Sequence, residues 1–125
     1  MNAKVLIVDD SSLARRTMRA ALEGLGCSVD AAKDGAEGLE RFCVDPPELV
    51  ILDMVMTGMY GLEVLGKMRE LKPDVKVIIA TADIQQSTAE QVRSAGAKGI
   101  LNKPINSDKL KAAIEAIMAG GETWN

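Results

Sequence analysis

The chain contains no histidine. That absence removes Ser-His-Asp and Cys-His nucleophilic machinery, every zinc site built on imidazole, and any phosphohistidine carried by the chain itself. Cysteine is scarce. Cys27 and Cys43 are spaced neither as a C-x-x-C redox pair nor as a zinc motif and are too few for a disulfide framework, so reduced, partly buried thiols are expected. Aromatic residues are nearly missing, with one Phe, one Tyr and one Trp in 125 residues, which leaves no set of rings to sandwich a flavin. Basic charge is not in excess either: 15 Lys and Arg stand against 18 Asp and Glu, for a net charge of −3. Such a balance offers no electrostatic footprint for nucleic acid or for an anionic membrane. No apolar run approaches membrane-spanning length, and the run in "MNAKVLIVDD" is too short for a signal-peptide core and meets acids at once. The expectation is a complete cytoplasmic protein of one domain, residues 1–125, with an ordered core from about 4 to 119 and a C-terminal tail over 120–125. A chain of this length can bury a core without disulfides or structural metal. Its chemistry must come from carboxylates, lysine and hydroxyls.

What is present is alternation. Short apolar runs, "VLIV" (5–8), "LVIL" (49–52), "VKVIIA" (75–80) and "GILN" (99–102), suit strands covered on both faces. Between them Met18, Leu22 and Leu25 space as one helix face, as do Leu39, Phe42 and Cys43, then Leu62, Leu65 and Met68, then Leu110, Ile114, Ile117 and Met118. Asp34 and Glu37 form a capping-box pattern, Gly26 and Gly96 stand where helices should stop, and Pro73 ends the third helix. "SVDAA" (28–32) is a weaker strand, placed at an edge. The fourth helix, about Ile84 to Ala95, has few apolar anchors, mainly Ile84 and Val92, and is expected to be the most mobile element. The closing "GGETWN" is expected to fray, Trp124 with it. Five β-α units with right-handed crossovers make an α/β, doubly wound, five-stranded parallel sheet with five helices, whose ligands bind beyond the carboxyl ends of the strands.

That rule selects residues. Asp9 and Asp10 follow "VLIV", Asp53 follows "LVIL", Thr81 follows "VIIA" and Lys103 follows "GILN". Singly, each has a plain explanation: Asp10 with Ser11 and Ser12 as a helix cap, Thr81 satisfying a loop amide, Lys103 as a solvated lysine. Asp53 resists one, because it sits inside the apolar stretch "VILDMVM" and an ionised carboxylate is not taken out of water without a partner or a cation. Together they place three carboxylates, a hydroxyl and an ammonium at one sheet edge. Clustered carboxylates favour shared protons or a divalent cation, and an oxygen-only ligand set suits Mg²⁺, with Mn²⁺ as a substitute. A phosphoryl group could then be organised there, with Asp53 as nucleophile and Lys103 and Thr81 around the transferring oxygens.

The motifs "VLIVDDS", "VILDMVMTG", "VIIATA" and "GAKGILNKP" resemble those of the receiver domain of two-component response regulators, in order and across almost the whole chain. The resemblance implies a flavodoxin-like fold with strand order 2-1-3-4-5 and a stand-alone receiver akin to the chemotaxis regulators. It implies that Asp53 accepts a phosphoryl group from a phosphohistidine on a sensor histidine kinase or histidine phosphotransfer protein. Asp10, Asp53 and the Val55 carbonyl would hold Mg²⁺, Asp9 would act largely through water, Lys103 would contact phosphoryl oxygens, and Thr81 would be the switch hydroxyl. The face of the fourth helix, fifth strand and fifth helix would then repack toward a downstream protein, a phosphatase being one candidate, with the chain a monomer or weak dimer. Three positions depart from the family pattern: Thr57 stands where Pro is common, Tyr60 where an acid or amide is common, and Ile100 where an aromatic switch residue is common. Asp83, two residues after Thr81, is placed to tune hydrolysis of the acyl phosphate.

Other readings compete, among them a degenerate receiver that binds partners without phosphorylation, against which every core chemical residue is present. An aspartate-nucleophile phosphatase carries a second Asp two residues after the nucleophile, where this chain has Val55. A flavodoxin-like electron carrier lacks its aromatics and phosphate loop. A phosphate sink or relay receiver with no output face differs from the leading reading only in its downstream coupling.

Overall fold

A computed structural model describes residues 2–56, 58–82 and 85–124. Five strands, β1 (Lys4–Val8), β2 (Ser28–Ala32), β3 (Leu49–Asp53), β4 (Lys76–Thr81) and β5 (Gly99–Asn102), alternate with five helices, α1 (Ser12–Gly24), α2 (Gly35–Val44), α3 (Gly61–Leu71), α4 (Gln86–Ser94) and α5 (Ser107–Met118). All strand pairings are parallel and the order is β2-β1-β3-β4-β5. The expected topology is therefore present, with "SVDAA" at an edge.

Strict alternation along the strands divides the core in two. Leu6, Val8, Val50, Leu52, Val77, Ile79 and Ile100 face α2, α3 and α4, meeting Phe42, Val64, Leu65, Met68 and Val92. Val5, Ile7, Leu49, Ile51, Ile78 and Leu101 face α1 and α5, meeting Met18, Leu22, Leu110, Ile114 and Ile117. Because both faces are covered, the central strands read as unbroken apolar runs, and each fully buried Ile or Leu contributes about 1.5–3 kcal/mol. Gly38 lets α2 press onto β1, since a Cβ there would fall 2.9 Å from Val8 Cγ2.

The helix punctuation is as expected. Asp34 accepts from the Glu37 N–H at 2.8 Å, and the Glu37 carboxylate reaches back to the Lys33 N–H at 3.1 Å. Gly26 and Gly96 adopt positive φ just beyond α1 and α4. In α4 the buried anchors are Thr88 and Val92; Ile84, the other expected anchor, lies outside the described residues, as do Thr57 and Asp83.

Two expectations are corrected. Cys43 is exposed while Cys27 is buried, because α2 turns Phe42 inward and leaves its neighbour outside. The tail, expected to fray, is docked. Gly120 takes φ +90° after α5, Gly121 N–H bonds the Ala116 carbonyl at 2.8 Å, and Thr123 then pairs in parallel with Gly99. The cause is the sheet edge: β5 has β4 on one side alone, so its outer N–H and C=O groups are open to pairing. The Ile100 N–H donates to the Thr123 carbonyl at 2.8 Å, and the Thr123 N–H to the Lys98 carbonyl at 3.0 Å.

Candidate functional site

The carboxyl edge of the sheet gathers every polar residue picked out at the strand ends. Asp9 extends the β1 ladder by one bond, its N–H meeting the Ala32 carbonyl at 3.1 Å, and this carries its side chain inward until the residue is 1% exposed. The chain then turns into α1. Ser11, not Asp10, is the N-cap, its hydroxyl accepting from Ala14 N–H at 3.2 Å, and its own N–H donates to Asp9 Oδ1 at 2.9 Å. Asp10 faces solvent.

Asp53 is the last residue of β3, paired in register with Ala80. Just after it, the Met54 N–H bonds the Ala80 carbonyl at 3.0 Å and the Gly61 N–H bonds the Met54 carbonyl at 2.8 Å, so α3 begins directly against the strand end. Gly61 cannot carry a side chain there, because a Cβ would fall 2.4 Å from the Asp53 carbonyl oxygen. Val55 bridges Tyr60 across the intervening loop and is exposed. Thr81, buried, ends β4 opposite Asn102, and its carbonyl accepts from the Lys103 N–H at 2.8 Å. Asp53, Met54, Val55, Thr81, Ala82 and Lys103 line one cleft.

The Lys103 ammonium stands between the two buried acids, 3.1 Å from Asp9 Oδ2 and 3.2 Å from Asp53 Oδ1. Burial pushes the Asp53 carboxyl above the ordinary carboxylate value, and the nearby Asp9 adds to it, against the opposing pull of Lys103. Burial works against the Lys103 ammonium, yet its hydrogen bond to Asp9 and the charges of Asp9 and Asp53 outweigh that and hold its pKa above the usual lysine value. The opening puzzle of an acid in an apolar frame thus has a partial answer in Lys103. Asp9 and Asp53 share the Lys103 ammonium, and Asp10 adds a third carboxylate beside them.

Such a cluster fits a cation. One carboxylate oxygen from each of Asp9, Asp10 and Asp53 can lie within 4.8 Å of the others, two from buried residues and one from an exposed one. All-oxygen donors at a partly open edge match Mg²⁺, which binds through one or two carboxylates and keeps several waters. The Val55 carbonyl belongs to the same loop, and Val55 lines the same cleft.

Two residues at the site were not singled out from sequence. Arg15 on α1 donates from Nη1 to the Asp9 carbonyl at 2.8 Å, clamping the turn that carries both acids. Its signal was a basic residue in the helix that follows the acid pair. The other is Gly61, which permits the close approach of α3 to the end of β3.

The comparisons with known proteins point to one family. The family model described as response regulator receiver domain matches residues 5–115. The chain is 34% identical over 120 residues to response regulator MprA of Mycobacterium bovis, covering 94% of this chain and 51% of that protein. It is 36% identical over 117 residues to response regulator MprA of Mycobacterium leprae, covering 92% and 50%. The chain thus spans about half the length of these curated relatives. Among solved structures, the chemotaxis protein CheY4 of Vibrio cholerae superposes with a TM-score of 0.88 at 28% identity, covering 92% of this chain and 98% of that one. A CheY-like receiver domain protein of Methanospirillum hungatei gives 0.89 at 28% identity, covering 96% of each.

Proposed function

This chain belongs to the response regulator receiver domain family of two-component signalling, and we propose that it accepts one phosphoryl group on Asp53, from a phosphohistidine of a histidine kinase or phosphotransfer protein. The observation that carries the proposal is the placing of Asp53 at the end of β3, within 3.2 Å of the Lys103 ammonium and beside two further carboxylates. An oxygen of Asp53 attacks phosphorus, the P–N bond of the donor breaks, and its electron pair leaves with the imidazole. Lys103 neutralises charge on the transferring oxygens, and Thr81 meets the bound group from the end of β4. Mg²⁺, held by Asp10, Asp53 and the Val55 carbonyl, with Asp9 acting largely through water, would add positive charge to the same oxygens. A groove beside Lys103, lined by Leu13, Ala14, Met18, Pro104 and Ile105, offers the donor an apolar landing, and Leu13 is 67% exposed on it.

The output we assign to a protein-binding face on α4, β5 and α5. One observation favours a second reading, a phosphate sink or relay member: Ile100 is 4% exposed, aliphatic and fixed in the core, so it has no ring to move between surface and interior.

Intact-mass analysis after incubation with a small phosphodonor and Mg²⁺ tests the acceptor assignment. The wild type should gain one phosphoryl group, Asp53→Asn none, and either protein none in excess chelator. Undiminished labelling of Asp53→Asn would overturn it.

A further inference from the structure

We infer that the outer edge of β5 is a strand-accepting groove for an extended, aromatic-bearing segment of a partner protein, and that the chain's own residues 122–124 are its resident competitor. The inference rests on the proposed function only in placing the partner face on α4, β5 and α5.

The sheet edge supplies the main-chain part of the site. The Ile100 N–H and the Lys98 carbonyl hold Thr123 from both sides, which is parallel strand addition one residue at a time. Gly99 makes this approach possible: a Cβ on it would lie 2.0 Å from the Thr123 carbonyl oxygen and 2.5 Å from Thr123 Cγ2. The glycine is needed for a second backbone to come close.

The side chains on either side of that backbone show what the groove accepts. On the α4 side, Trp124 packs against the core cluster that contains Val92 and Ile100, and the Arg93 guanidinium lies 4.4 Å from its ring centroid. The indole N–H is satisfied by Glu122 Oε1 at 2.7 Å. An aromatic side chain thus occupies the very face on which Ile100 offers none. On the α5 side the fit is loose: a groove of about 540 Å³ runs between Thr123 and Lys109, Ala112 and Ala116 of α5, with Leu101 and Asn102 at its floor. A segment with a larger apolar residue at the position of Thr123 would fill space that the tail leaves open. Arg93 and Lys109 flank the groove with positive charge, which suits an acidic residue such as the one the tail carries at Glu122. The favoured partner segment is therefore extended, parallel to β5, and carries an aromatic, a bulky apolar residue and an acid in close succession.

The tail holds this place through two main-chain bonds, one stacked ring and a short tether from α5 that keeps its local concentration high. Binding of a partner and docking of the tail exclude one another.

The test uses the full chain without any phosphodonor, so its failure leaves phosphoryl uptake at Asp53 standing, and the reverse. In a Thr123→Pro/Trp124→Ala chain, the first change removes the N–H that bonds Lys98 and the second removes the ring; Ile100 amide exchange should accelerate while that of Ile78 stays slow. A synthetic peptide of residues 119–124 should then shift the resonances of 93 and 98–101. It should bind the unmodified chain several-fold more weakly, and Arg93→Ala should weaken it by roughly 2–5-fold. Gly99→Ala, checked for native circular dichroism, should free the tail and yet refuse the peptide. Equal Ile100 exchange in all chains, or a peptide that binds without touching 98–101, would overturn the inference. So would a dimer that disappears in Thr123→Pro/Trp124→Ala, since the edge would then belong to the tail of a second copy.

Discussion

The Lys103 ammonium bonds Asp9 Oδ2 at 3.1 Å across 94 residues of sequence. Asp9 is the most deeply buried acid of the site, and among the described residues Lys103 is the one cation in ion-pair contact with it. Removing one partner of such a pair leaves the other buried and uncompensated, which costs more than the pair contributes. Lys103→Met should therefore destabilise the metal-free protein by about 1–3 kcal/mol, at the lower end to the extent that water reaches the partly exposed ammonium. Urea unfolding in chelator measures it, and an unchanged midpoint would show that Asp9 does not depend on Lys103.

Asp53 should make the metal-free fold less stable as it ionises. Its native carboxyl is raised above the ordinary value, so the native state binds the proton more tightly than the unfolded chain does. Stability is then highest below the ordinary carboxylate value, falls as pH rises from there through the raised native value, and stays reduced above it. Asp53→Asn should melt higher than wild type at pH 7 in chelator, and the gap should narrow as pH falls toward 4. A constant gap across that range would refute the assignment.

Divalent metal should reverse that penalty. Because Asp9, Asp10 and Asp53 bring three carboxylates together, Mg²⁺ should bind the native state preferentially and stabilise it by about 2.7 kcal/mol at a hundred times its Kd. Asp10→Asn should lose most of this increment while its own metal-free melting point rises. Titration calorimetry with Mg²⁺ gives the affinity, and an equal response in both proteins would sink the ligand assignment.

Thr81 should couple the site to the α4–β5–α5 face. Its carbonyl holds the Lys103 N–H and its register partner is Asn102, so a change at its hydroxyl is one strand away from Ile100. Thr81→Ala should cost about 1–2 kcal/mol, bind beryllium fluoride, and lose much of the shift that the mimic produces over 85–95 and 99–102 in wild type. If wild-type shifts stay at residues touching the mimic, the phosphate-sink reading stands instead.

Much of this was legible from the chain alone because a covered parallel sheet writes itself as apolar runs, and the residue just past each run is placed at one edge by topology. "SVDAA" ended as strand β2 at its expected bounds, and "GILN" as β5. Relative depth was not legible. Asp53 drew attention by its apolar neighbours, yet Asp9 is buried more fully, since one extra ladder bond to Ala32 draws it inward. The docked tail was missed for a related reason: two glycines and a chain end look like fraying unless the open edge of β5 and the missing side chain of Gly99 are considered together. The exposure of Cys43 follows from which side of α2 Phe42 takes, a choice that helical spacing alone leaves open.

The span between Lys103 and the acids it serves has a consequence for synthesis on the ribosome. A nascent chain that has emerged only as far as α4 already holds Asp9, Asp53 and the strands that would bury them, but not the residue that neutralises them. Early closure of β2-β1-β3-β4 would enclose two carboxylates without their counter-charge. The residue just past the last strand thus brings the counter-charge for both acids, and folding of this chain is expected to complete after translation has passed residue 103.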